Sequence, residues 1–315
     1  MDLTQIVLAV HGGAGNLTRK QLEYPGRRGY ERGLADALRS GQRVLLKGGS
    51  ALNAVTEAIV ILEDNDLFNA GKGAVLCADG SIELSAAIMK GNDRTAGAMV
   101  GLKRTKNPIR AARSIMGHAH SLLFGVGADD YAQSKGLDMV PADYFSTPFR
   151  RRQWQKLKSK SNAVLDHSDD QAATGTVGAV ARDRRGNLAT ATSTGGMVNQ
   201  TPGRIGDTPI IGAGSWADNN TCAISATGTG EAFARNVFAR RVADLVEIGG
   251  LAPLAAAERT LDDIRRDKGV GGCILVDAQG GLALPFNTPH MFRGWLVGDA
   301  PPQVAILADE QISID

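Results

Sequence analysis

Small hydroxyl and charged residues recur beside glycines at four separated places in the second half of this 315-residue chain: Gly175-Thr176, Thr192-Ser193-Thr194-Gly195-Gly196, Arg204-Ile205-Gly206-Asp207 and Ala226-Thr227-Gly228-Thr229-Gly230-Glu231. A single threonine in a strand is a packing residue, because its branched Cβ suits the pleat. Recurrence beside glycine changes that reading, since a residue without a Cβ lets a hydroxyl and a backbone N–H approach the same small ligand. The first half adds another glycine-rich turn, His11-Gly12-Gly13-Ala14-Gly15. It lacks the spacing of the dinucleotide fingerprint, and no Gly-x-x-x-x-Gly-Lys-Ser/Thr loop occurs, so neither phosphate cradle is expected. His11 reads as a structural histidine at a strand end.

The elements that must carry these residues can be read from periodicity. Ile6 to Val10 is a short apolar run ending in the glycine turn, as a buried strand would. A helix is expected from Tyr30 to Leu46, stopped by Gly48-Gly49, and a second one to Asp64 with Ser50 as its N-cap. Between Phe68 and Met99 the pattern turns to short strands broken by glycine, and Pro108 opens a helix through Met116. Thr176–Arg182 and Leu188–Thr192 read as a hairpin around Asp183-Arg184-Arg185-Gly186-Asn187. A hairpin of the same design joins Cys273–Val276 to Leu282–Phe286 around Asp277-Ala278-Gln279-Gly280-Gly281, with helices over 230–248 and 254–267 between the two. This order predicts two packed sheets with helices on each outer face.

Composition narrows the function classes. The chain is 43% hydrophobic and 22% charged, ordinary for a globular protein with a sizeable core, while 39 glycines imply many tight turns or close backbone approaches. With 35 basic and 33 acidic residues there is no field to attract nucleic acid or an anionic membrane. The basic cluster Arg150–Lys160 reads as a solvated helix end leading into a polar linker that runs to Ala173. Cys77, Cys222 and Cys273 are too few and too scattered for a disulfide framework or a zinc site. No apolar run of membrane-spanning length and no leader-like start are read in the sequence, so the expectation is a cytoplasmic protein.

The blocks Gly175-Thr176-Val177-Gly178-Ala179-Val180-Ala181, Ala191-Thr192-Ser193-Thr194-Gly195-Gly196-Met197, Pro202-Gly203-Arg204-Ile205-Gly206-Asp207-Thr208-Pro209, Gly212-Ala213-Gly214 and Thr227-Gly228-Thr229-Gly230-Glu231 resemble the signatures of the plant-type L-asparaginases, also called isoaspartyl peptidases. His11-Gly12-Gly13-Ala14-Gly15, Leu67-Phe68-Asn69-Ala70-Gly71 and Pro285-Phe286-Asn287-Thr288 resemble the same family in the same order, so the likeness spans nearly the whole chain. The resemblance implies an α+β fold, the four-layer αββα sandwich of the N-terminal-nucleophile hydrolases. It implies one domain that cuts itself into an α-subunit, 1–175, ending in a flexible linker over 146–175, and a β-subunit, 176–315. The implied activity is hydrolysis of L-asparagine and of β-aspartyl dipeptides by a dimer of αβ units, with neither nucleic acid nor membrane as partner.

Roles follow residue by residue from that likeness. Cleavage between Gly175 and Thr176 would give Thr176 a free α-amine, with a reference pKa of about 7.7 to 8.0, so one residue supplies nucleophile and base. Thr194 resembles the hydroxyl that steadies the nucleophile, and Thr227 with Gly228 the oxyanion hole. Arg204 resembles the anchor of the substrate α-carboxylate and Asp207 that of its α-ammonium, while Asn69 resembles a residue at the rim of the site. No cofactor is implied for catalysis. The loop bearing Leu62, Glu63, Asn65, Phe68, Ala70 and Lys72 resembles one that wraps a structural sodium ion with backbone carbonyls. Two rivals share much of this pattern: a glycosylasparaginase, against which Gly175 and Thr227-Gly228-Thr229-Gly230 speak, and a non-catalytic relative that never processes. The chain departs from the family at Ser85 and Lys90, where many relatives carry acids. Lys90 is read either as a surface lysine or as a cation near the cleavage site.

Overall fold

The structure, a computed structural model, describes residues 5–17, 19, 26–158 and 175–310. Among them run β1 (Val7–Gly15), α1 (Arg27–Leu46), α2 (Ala51–Glu63), β2 (Leu84–Lys90), β3 (Ala96–Leu102), α3 (Pro108–Ser114), β4 (Leu122–Phe124), α4 (Gly125–Ser134) and α5 (Pro148–Lys158). Beyond residue 175 follow β5 (Val177–Arg182), β6 (Leu188–Thr194), β7 (Ser215–Ala217), β8 (Cys222–Gly228), α6 (Gly230–Arg235), α7 (Phe238–Glu247) and α8 (Pro253–Arg266). The chain closes with β9 (Gly271–Asp277), β10 (Leu282–Ala283), β11 (His290–Val297) and β12 (Gln303–Leu307).

Eight strands form one sheet in the order β12-β11-β1-β5-β6-β2-β3-β4, and four form a second in the order β10-β9-β8-β7. Apolar side chains fill three separate layers. Leu34, Leu38 and Ile59 of α1 and α2 pack on Leu8, Val10 and Ala179 of the large sheet. Val180, Ala223, Ile274 and Val276 fill the space between the sheets. Phe233, Val242 and Ile264 of α6, α7 and α8 cover Ile224 and Leu275 of the small sheet. Helices, sheet, sheet, helices: this is the αββα sandwich, because each sheet face must bury its apolar side chains against another element.

The N-cap reading at Ser50 holds, its hydroxyl accepting from Asn53 N at 3.2 Å. Several boundaries differ from expectation, among them the glycine turn His11–Gly15, which is the end of β1. The stretch from Phe68 to Ile82 forms turns rather than strands, and regular pairing starts at Leu84. The helix expected over 230–248 is two helices, broken at Val237 with φ 45°. The break lets the first amides of α7 reach the loop before β7, Ala239 N donating to Ala213 O and Arg240 N to Gly212 O, so these helix-start donors are satisfied. The 146–175 linker is shortened from its front by α5, within which Arg150 is fully buried, its Nε donating to Gly73 O at 2.7 Å and its Nη1 to Gln153 Oε1 at 3.0 Å. Tertiary anchoring of one arginine thus overrides a polar composition; the remainder of the expected linker, 159–174, lies outside the described residues.

Candidate active site

Side chains alternate along strands, so β5 and its entry residue send Thr176, Gly178 and Val180 toward the small sheet, and β6 sends Thr190, Thr192 and Thr194 the same way. Below the surface these hydroxyls tie the sheets together. Thr190 Oγ1 donates to Ile224 O at 2.8 Å, and Thr192 Oγ1 lies 2.7 Å from Ser225 Oγ. Ser225 Oγ in turn sits 2.9 Å from His11 Nε2. A Cβ on Gly178 would overlap both His11 and Ser225, which explains the glycine two residues after Thr176. His11 is thus a structural histidine: burial pushes its pKa down to about 3 against the opposing pull of the Thr176 backbone, so the ring is neutral.

At the surface end of the same row, Thr176 Oγ1 donates to Thr194 Oγ1 at 3.1 Å and lies 3.5 Å from Thr208 Oγ1. Thr194 Oγ1 also accepts Gly196 N at 3.0 Å, which fixes its lone pairs. Gly175 is clamped from two sides. A Cβ there would come within 2.9 Å of Thr227 Oγ1, and a Cβ on Gly13 would strike the backbone of Gly175 itself. Gly13, at φ +106° beside the β1 bulge at Gly12, lets the segment before Thr176 approach, so His11–Gly15 is strand rather than the expected turn and its glycines serve close packing.

Thr227 Oγ1 is buried with no hydrogen-bond partner among the described residues and sits beside the Gly175 backbone. Gly228, at φ +152°, ends β8 on the wall of the pocket, where a side chain would collide with Val270 and Gly271. Asn69 is fully engaged: Nδ2 donates to Gly196 O at 2.7 Å and Oδ1 accepts Val75 N at 2.9 Å, so it latches its loop to the turn after Thr194.

A cavity of about 490 Å³ opens here, lined by Thr176, Thr194, Gly228, Arg204, Asp207 and Asn69 among others. Seven of the residues singled out in the sequence, counting Gly175, therefore meet at one place, with Thr227 Oγ1 against the Gly175 backbone. Asp207 is buried, its Oδ2 unpartnered, and desolvation raises its pKa to about 7 despite the opposing pull of backbone hydrogen bonds and Arg204. An unpaired buried carboxyl costs free energy that an incoming cation would offset. Arg204 does not stand open as a simple fork: Nε and Nη2 hold Glu231 at 2.7 and 3.0 Å.

The loop 62–72 closes on itself, Lys72 N donating to Glu63 O at 2.7 Å and Phe68 N to Asn65 O at 3.3 Å. The Asp66 and Phe68 carbonyl oxygens converge on Gly73, lying 2.5 and 2.8 Å from where its Cβ would be. The Glu63 carboxyl leaves this loop for Ser193 Oγ at 2.7 Å and Ile109 N at 3.0 Å, and burial raises its pKa to about 8. Glu63 therefore belongs to the loop by its carbonyl alone.

Ser85 and Lys90 part company. Ser85 pairs with Thr194 across the β2–β6 ladder and lines the cavity, whereas Lys90 pairs with Ala189 at the far end and holds Asp93 at 2.8 Å. Five residues of strand separate them by about 16 Å, so Lys90 is the surface lysine of the two readings. Thr208, Gln200 and Glu231 at the site were not singled out. Thr208 carries the same signal as Thr194, a hydroxyl inside a glycine-bearing turn; the pairing of Glu231 with Arg204 has no sequence signal.

The family model described as asparaginase matches residues 4–306. The isoaspartyl peptidase of Salmonella typhimurium is 46% identical over 95% of this chain and 98% of its own, and that of Escherichia coli 44% over 94% of each. The isoaspartyl peptidase/L-asparaginase of Xenopus laevis is 43% identical over 90% of each chain. A match of this length, on a sandwich with threonines gathered at one pocket, has one consequence: the chain belongs to the asparaginase family.

Proposed function

We infer that this protein is an autoprocessing isoaspartyl peptidase and L-asparaginase whose nucleophile is Thr176. The observation that carries the reading is the meeting, at one cavity, of the Thr176 hydroxyl on Thr194 and the pair Arg204 and Asp207, with the Thr227 hydroxyl against the Gly175 that lines it. In maturation the Thr176 hydroxyl attacks the Gly175 carbonyl carbon, the C–N bond breaks as Oγ becomes an ester, and water hydrolyses that ester to leave Gly175 carboxylate and a free Thr176 amine. In turnover that amine takes the proton of its own hydroxyl, and Oγ attacks the β-carbonyl of the substrate. The oxyanion falls between the Thr227 hydroxyl and the Gly228 N–H, each such donor contributing about 3 kcal/mol. The proton passes to the departing ammonia or peptide amine, and water then releases aspartate.

Arg204 anchors the α-carboxylate, and Asp207, ionised by the arriving ammonium, anchors the other charge. The carbonyls of Leu62, Glu63, Asn65, Phe68, Ala70 and Lys72 would hold a structural sodium ion, which would stiffen the segment that carries Asn69; the Phe68 oxygen, gathered with that of Asp66 at Gly73, suits a hard cation. The open edge at β4 exposes Leu122, Phe124 and Val126, an apolar margin that a second αβ unit would cover. Three free, buried thiols fit a cytoplasmic protein, and among the described residues no helix is long and apolar enough to cross a membrane.

Amino-terminal sequencing of the smaller fragment of the purified protein tests this reading. Thr-Val-Gly-Ala-Val is expected, together with ammonia release from asparagine and leucine release from β-Asp-Leu. A start elsewhere would remove Thr176 from its role.

A further inference from the structure

Arg204 meets Glu231 edge to edge. The Nε–H and one Nη2–H point to the two carboxylate oxygens at 2.7 and 3.0 Å, which is the side-on fork of a guanidinium. This leaves the end-on edge, Nη1 with the second proton of Nη2. Of these donors Nη1 reaches Gln200 Oε1 at 3.3 Å, a long contact, and Gln200 Oε1 is already taken by Met197 N at 2.9 Å. The Arg204 side chain is 16% exposed and that of Glu231 50%, so the acid stands outside and the guanidinium inside. Packing fixes the arrangement from beneath: a Cβ on Gly230 would lie 2.8 Å from Arg204 Nη2 and 3.0 Å from Asp207 Oδ1.

We propose that Glu231 is a positioning residue for substrate binding: by holding the side edge of Arg204 it turns the end-on edge of the guanidinium toward the cavity, where it receives the α-carboxylate of an amino-acid substrate. A planar cation with two usable edges can grip two carboxylates at once, one from the protein and one from the ligand. Without the protein's carboxylate the long side chain samples several rotamers and must be ordered by each ligand that arrives, at a cost in affinity. Glu231 also sits near Asp207 as a like charge, which helps to keep Asp207 protonated until an ammonium enters. The inference rests on Arg204 as the carboxylate anchor, so its test needs a readout that does not depend on turnover.

The experiment compares the processed wild type with Glu231→Gln, measuring Kd for L-aspartate and, as a ligand without an α-carboxylate, for β-alanine. Glu231→Gln keeps the shape but replaces one acceptor oxygen by an amide NH₂ that repels Nη2. Binding of L-aspartate is expected to weaken about tenfold, a loss of about 1.4 kcal/mol, while β-alanine shifts less than twofold; in turnover KM rises with kcat within twofold, and Glu231→Asp recovers part of the loss. Equal weakening of both ligands assigns Glu231 a general structural role and overturns the proposal, as does unchanged or tighter aspartate binding, which would make the carboxylate a bystander or a competitor. A wild type that binds no L-aspartate overturns the amino-acid reading of the pocket along with this one.

Discussion

The two hairpins are built on one turn and put to different uses. Asp183 Oδ1 accepts Arg185 N and Asn187 N at 2.9 and 3.0 Å, and Gly186 N donates to Asp183 O. Asp277 Oδ1 accepts Gln279 N and Gly281 N at 2.9 and 2.7 Å, and Gly280 N donates to Asp277 O. Each turn fixes the register of its strands, β5 with β6 and β9 with β10. Yet the first hairpin turns Thr176, Thr190, Thr192 and Thr194 toward the space between the sheets, whereas the second fills it with Ile274 and Val276. Turn chemistry sets which residues share a face; only the residues themselves decide whether that face is a core or a reactive site.

The sharpest way to separate the hairpins is to remove one nucleophile. Thr176→Ala should leave the 315-residue chain whole on a denaturing gel and lower turnover on the order of 10⁶-fold, the scale seen when a nucleophile is deleted. Cys273→Ala, buried in the second hairpin, should cut and turn over normally. If Thr176→Ala still cuts, the first hairpin is no more reactive than the second.

The next effect is on pH. Burial raises the Asp207 carboxyl to about 7, so as pH falls below that value the empty site holds a neutral acid and loses its attraction for the substrate ammonium. On the Asp207 carboxyl's account alone, kcat/KM for asparagine should fall up to about tenfold per unit below pH 7. The amine of a processed Thr176 acts in the same direction, since its protonated form is no base. Asp207→Asn should bind weakly throughout and keep only the amine's share of the slope; a parent profile flat from pH 5 to 8 would contradict both assignments.

Stability separates the turns more gently. Asp277→Ala removes the oxygen that accepts from two backbone amides and should cost about 1 to 2 kcal/mol. Asp183→Ala should cost about 1 kcal/mol more, because Asp183 Oδ2 also accepts Ala51 N at 3.1 Å, capping α2. Urea midpoints of the two variants measure the difference, and equality would mean that the bond to Ala51 adds nothing. Smallest of all, Lys90→Ala breaks an exposed pair with Asp93 and should change stability by less than about 0.5 kcal/mol, with the time course of cleavage unaltered.

Much of this molecule could be read from its sequence because the signals are local. Asp-x-x-Gly turns, the Ser50 cap, the two-sheet order and the threonines beside glycines each depend on residues a few positions apart. What escaped depends on distant partners. Nothing near Gly13 announces that Gly175 will rest on it, and nothing near Arg150 announces the Gly73 carbonyl that buries it within a cluster read as solvated. Ser85 and Lys90 looked like one departure because they are close in sequence, but strand length carries them to opposite ends of β2. Val237 breaks its helix for the sake of carbonyls on another loop.

The strand order of the large sheet also decides what a cut before Thr176 would leave behind. Read across β12-β11-β1-β5-β6-β2-β3-β4, the strands before and after residue 175 alternate in blocks, with β1 alone between two strands from the later part. Such a cut would free a chain end in the middle of a sheet without yielding two bodies. Neither piece made by itself could form the sheet: one would lack the neighbours of β1, the other would have a gap where β1 belongs. Mixing two such halves after separate synthesis would ask eight strands to interleave that a single thread brings together in one step.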